Sequence, residues 1–72
     1  MLLSDVQPEK EYVVTKINST DHELTSFLFS LGCYEGEKIS VITKKKNSLV
    51  LAVKDSRYSI DIPLAELIDV ES

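Results

Sequence analysis

The chain is poor in the residues from which most active sites and metal centres are built. Its 72 residues include one cysteine, one histidine, no tryptophan, two glycines and two prolines. A lone Cys33 excludes an internal disulfide, cannot build a structural zinc site by itself, and suits a reducing compartment. No apolar run approaches the ~20 residues that span a bilayer. The opening MLLSDVQPEK has neither the basic segment nor the long apolar stretch of a secretory leader. Cytoplasm is therefore the expected location. Basic residues are also scarce, eight against twelve acidic ones, for a formal net charge of -4. That balance opposes a duty resting on phosphate neutralisation, although a local patch can override it.

An apolar fraction of 43% beside 28% charged residues is that of a folded domain, not of a disordered chain. A chain this short has room for one core, so residues 1–72 are expected to form a single stand-alone domain. Its stability should be about 4–11 kcal/mol.

Local patterns give the elements. Leu2, Leu3 and Val6 suit one helical turn before Pro8, and read as a lid. Glu11 to Asn18 is β-branched and aromatic, with Tyr12, Val14 and Lys16 opposing Val13, Thr15 and Ile17. Thr20 and Glu23 stand in the relation of a capping box, which predicts a helix from Asp21. Leu24, Phe27, Leu28 and Leu31 then form one stripe facing the core, and Gly32 ends the helix in a left-handed conformation. A second strand begins after Gly36 and runs through Glu37 to Lys46. A third, Leu49 to Lys54, is apolar on both faces. A tight turn at Asp55 and Ser56 leads to a fourth, in which Tyr58, Ile60 and Ile62 alternate with Ser59 and Asp61. Pro63 opens a brief helical turn, and Ile68 to Val70 returns as a short fifth strand. The pattern predicts a mainly β fold: a small closed or nearly closed barrel of about five strands. One α-helix lies between strands one and two and plugs an open end, with short helical turns near both chain ends. Closure should also hide the strand edges.

The spacing of Leu28, Leu31, Gly32, Gly36, Ile39 and Val41 (L-x-x-L-G-x-x-x-G-x-x-I-x-V) resembles the FeoA family, small cytoplasmic proteins with an SH3-like barrel. Ile60, Ala65, Ile68 and Val70 are similar to that family's closing segment, and Val6, Pro8, Val14 and Ile17 to its opening strand. The chain departs from the family pattern at Glu9, where a glycine is common, and at Phe27, where a basic residue often stands. The tight KKKNS turn stands where the family usually has a Gly/Pro-containing loop after the second strand. The resemblance implies an accessory role in ferrous iron uptake, on the cytoplasmic side of a FeoB-type membrane GTPase transporter. No cofactor is expected. A related SH3-like module ends DtxR-type repressors, but no DNA-reading helix-turn-helix is present.

The remaining candidate chemistry is sparse. His22 lies between Asp21 and Glu23, but neighbours on a helix point about 100° apart and do not converge on a metal. Cys33 has no second cysteine or nearby histidine, and reads as a buried thiol or as part of a contact surface. Glu35 and Glu37 flank Gly36 in what reads as a solvated turn, so no enzyme is expected. Lys44, Lys45 and Lys46, with Lys54 and Arg57, offer a nucleic-acid-binding alternative, without the aromatic neighbours that usually accompany single-strand binding. Phe29 lies about 140° from Leu24, off the core stripe. It is either covered by Leu2 or Leu3, or shown to a partner or to a second copy of the chain. The expected contact surface is Phe29, Cys33, Tyr34 and Glu35, held by turns at Gly32 and Gly36.

Overall fold

The alternating segments become five strands: β1 (Lys10–Ile17), β2 (Lys38–Lys44), β3 (Ser48–Val53), β4 (Ser56–Asp61) and β5 (Ile68–Glu71). The computed structural model describes all residues, Met1 to Ser72. Helix α1 (His22–Leu31) lies between β1 and β2, the short α2 (Ile62–Ala65) between β4 and β5, and a 3-10 turn (Leu3–Asp5) precedes β1. All pairings are antiparallel, in the order β4-β3-β2-β1-β5. The expected mainly β architecture, with one helix between the first two strands and short helical turns near both ends, is the one observed. One turn moves: Lys54, not Asp55, opens the β3–β4 hairpin, at φ +56°, and Ser56 already belongs to β4.

The core is the inward row of each strand. Tyr12 and Val14, Ile39 and Val41, Leu49, Leu51 and Val53, Ile60, and Ile68 with Val70 are all buried. On β3 the other apolar face, Val50 and Ala52, is only half-buried. The register between β1 and β5 shifts between Val14 and Lys16. Such a bulge turns the strand over by one residue. Ile17 therefore packs against the same core as Tyr12 and Val14, although strict alternation placed it opposite them.

Two expectations about packing are corrected. The helix does not bury a four-residue stripe: Leu28 is fully buried, Leu24 and Leu31 are half-buried, and Phe27 is 48% exposed. The core already receives Leu3 and Val6 from the N-terminal segment and Cys33 from beyond the helix, so one α1 side chain completes it. Nor does the lid cover Phe29, because Leu3 is committed to the core and Leu2 bridges to Asp69.

The two ends of the sheet are treated differently. β4 and β5 end the sheet and are not paired with each other; α2 spans the seam between them and buries Ala65. The outer edge of β5 is taken by the N-terminus, where the Met1 amino group donates to Val70 O (3.0 Å) and Val70 N–H donates to Met1 O (2.7 Å). No strand pairs with the outer edge of β4; side chains of α1 lie beside both ends of that strand, Leu24 and Phe27 near Asp61, and Phe29 and Leu31 near Ser56 and Tyr58.

Candidate docking surface at the helix-to-strand junction

The capping residue of α1 is Asp21, not Thr20. Its backbone is extended (φ −78°, ψ 111°), and its carboxylate accepts from the N–H groups of Glu23 (2.9 Å) and Leu24 (3.4 Å). At the far end Gly32 adopts φ +91°, as expected, with its N–H donating to Phe29 O (3.0 Å) and the Cys33 N–H to Leu28 O (2.9 Å). A side chain at Gly32 is excluded twice over, since a Cβ there would lie 2.8 Å from Val53 Cγ1.

The next residues alternate between core and surface. Cys33 turns inward and is 1% exposed, and burial pushes its thiol up to about 11. Its expected place on the contact surface is therefore corrected: it anchors the loop from beneath. Tyr34 turns outward. Gly36, at φ +90°, carries the chain back towards β1, where its N–H donates to Val14 O (2.8 Å) and the Val14 N–H donates to Glu37 O (2.9 Å). The turn is thus pinned to the barrel wall.

Tyr34 is held from several sides. Its hydroxyl donates to Glu37 Oε1 (3.1 Å), and the Phe29 ring stacks on it with centroids 4.8 Å apart and planes at 29°. Lys54 Nζ lies 5.9 Å from the Tyr34 ring centroid and 3.7 Å from Glu37 Oε1. Glu37, and then Tyr34, raise the Lys54 pKa. Phe29 remains 64% exposed. Phe29, Tyr34 and Lys54, together with Leu31, Val53 and Tyr58, line an open groove of about 340 Å³, and Glu35 stands exposed on the turn. A fixed aromatic pair with an adjacent cation can bind a partner side chain.

The other candidate residues stay apart. No three His, Cys, Asp or Glu side chains are gathered as a metal site. Lys44 reaches back to Val6 O (3.4 Å), and Lys45 and Lys46 sit at the β2–β3 turn. Lys54 and Arg57 lie at the other end of β3, about 17 Å along the strand, so the five cations do not form one patch.

A feature missed from sequence is a second apolar groove on the opposite flank of α1, lined by Leu24, Phe27, Pro63, Leu64 and Leu67 with Asp61. The available signal was the pair Phe27 and Phe29: two positions apart on a helix, they point about 160° away from each other and cannot both face one core.

A family model for the FeoA domain matches residues 1–72. The chain belongs to the FeoA family. The crystal structure of an iron uptake regulatory protein, FeoA, superposes with a TM-score of 0.90 at 25% identity, covering 99% of this chain and 95% of that one. FeoA from Stenotrophomonas maltophilia, a zinc complex described as an SH3 domain protein, gives 0.84 at 22% identity, with 99% and 89% covered. A manganese-dependent transcriptional repressor gives 0.90 at 18% identity, but all of this chain covers 41% of that one. The search of curated proteins finds no match. The barrel is thus the SH3-like FeoA fold, in a family associated with ferrous iron transport. Part of a metal-responsive repressor has the same shape.

Proposed function

We propose that this FeoA-family chain is a cytoplasmic accessory protein of ferrous iron uptake that docks on the cytoplasmic part of a FeoB-type membrane GTPase transporter. The observation that carries the site is Phe29, 64% exposed yet stacked on a Tyr34 ring fixed by Glu37. A large apolar side chain held rigid in solvent loses little conformational freedom on binding, which is how aromatic anchors dominate interfaces. Tyr34, Lys54 and the exposed Glu35 supply a polar rim. Cys33 contributes by holding the loop down. No helix is long and apolar enough to cross a membrane, in keeping with an accessory part that meets its transporter from the water phase.

The test is capture of the chain by the purified cytoplasmic domain of a FeoB-type transporter. Phe29→Asp forfeits only the ring stack, about 0.5–1.5 kcal/mol, so it should fold and melt near the wild type while capture is lost. A folded Phe29→Asp variant that is captured as well as wild type refutes the site.

A further inference from the structure

We propose that the groove beside Phe29 takes a partner segment in which an apolar side chain stands next to a carboxylate, and that Lys54 reads the carboxylate. The proposal rests on docking through Phe29 and adds the chemistry of what docks there. Nine residues line the groove, and Lys54 is the one charged side chain among them, in a chain whose formal net charge is -4. Phe29, Leu31 and Tyr58 offer apolar surface to the incoming side chain. A carboxylate beside that side chain then meets the ammonium, so charge complementarity selects an acidic segment over a basic one.

The backbone singles out the same side chain independently. Val53 pairs with Ser56, so Lys54 and Asp55 form a two-residue loop between β3 and β4. A loop of this length with positive φ at its first position favours glycine there. Lysine occupies it instead, at φ +56°. The left-handed region is costly for a residue with a Cβ, and backbone strain of this kind gathers where a side chain has a task. The ammonium is also held in place. Glu37 Oε1 accepts the Tyr34 hydroxyl at 3.1 Å and lies 3.7 Å from Lys54 Nζ, beyond hydrogen-bond distance. Glu37 thus keeps the cation beside the rings by charge while leaving it donors to give, and the Lys54 side chain is 64% exposed.

Binding to the purified cytoplasmic domain of a FeoB-type transporter, titrated over a series of salt concentrations, reads the charge separately from the rings. Wild-type affinity should fall as salt rises. Lys54→Met keeps the aliphatic stem and loses the charge, so it should bind about tenfold more weakly at low salt and approach the wild type at high salt. Lys54→Arg restores the charge and should keep both the affinity and its response to salt. Lys54→Gly relieves the left-handed strain, so it should melt no lower than the wild type while binding as weakly as Lys54→Met; a purely structural role for Lys54 would not separate stability from binding in this way. A folded Lys54→Met that binds as tightly as the wild type, with the same response to salt, overturns the proposal. If Phe29→Asp fails to bind in that same experiment, the docking surface stands and the charge assignment alone falls. A wild type that does not bind at all overturns both.

Discussion

Replacing Gly32 by alanine separates two costs that usually arrive together. The first is conformational: φ +91° with ψ 9° is a left-handed geometry that an L side chain adopts at about 1–2 kcal/mol. The second is steric, because the new Cβ would sit 2.8 Å from Val53 Cγ1, and Val53 is itself buried at 2% exposure. Forcing a methyl into such packing costs about 1–3 kcal/mol. Gly32→Ala should therefore lose about 2–5 kcal/mol, against a total stability of about 4–11 kcal/mol. Gly36 supplies the control: its φ is +90°, and nothing lies within 4 Å of the Cβ position, so Gly36→Ala should cost the conformational part alone. Denaturant unfolding followed by circular dichroism measures both, with the slope against denaturant checking that the transition stays two-state. Val53→Ala makes room for the added methyl, so the double variant with Gly32→Ala should be less destabilised than the sum by about 1–3 kcal/mol. Equal losses for the two glycines, together with an additive double variant, would refute the steric half of the reasoning.

Two further outcomes are expected. Asp21→Ala should cost about 1 kcal/mol, since its carboxylate holds two helix N–H groups, while Thr20→Ala should be nearly neutral; the reverse order in thermal melts would restore the cap to Thr20. Burial raises the Cys33 thiol from 9.0 to about 11, so below pH 9 both folded and unfolded chains keep the proton and it adds no pH dependence. As pH climbs from 9 towards 11 the unfolded chain sheds the proton first, and stability should fall by about 2–3 kcal/mol. That loss should be absent from Cys33→Ala once the two stability curves are subtracted, and a difference that stays flat with pH would refute it.

The strands and the helix stop were legible because they rest on local rules. Tyr58, Ile60 and the intervening serine alternate with the pleat, and Gly32 sits where only a residue without Cβ fits. What escaped the sequence depends on what lies across the gap. The bulge after Val14, which sends Ile17 inward, follows from pairing with Ile68 and Asp69, and nothing within β1 announces it. Thr20 and Asp21 are both capable caps, and the choice between them is made by the backbone angle at which β1 hands over to α1. Phe27 looked like core because angular periodicity says where a side chain points, while the volume already filled by Leu3, Val6 and Cys33 decides whether it can enter. At the junction, Phe29 and Tyr34 could be singled out from sequence. Their stacking, and the Glu37 and Lys54 contacts that fix it, needed the hairpin to be brought alongside.

The paired backbone groups of Met1 and Val70 bring the two ends of the polypeptide side by side. A barrel that enters and leaves at one point can be spliced into another protein as a cassette, with little demand on the host's geometry. That property suits a shape which makes up nearly the whole of one iron uptake regulatory protein and two-fifths of a manganese-dependent repressor.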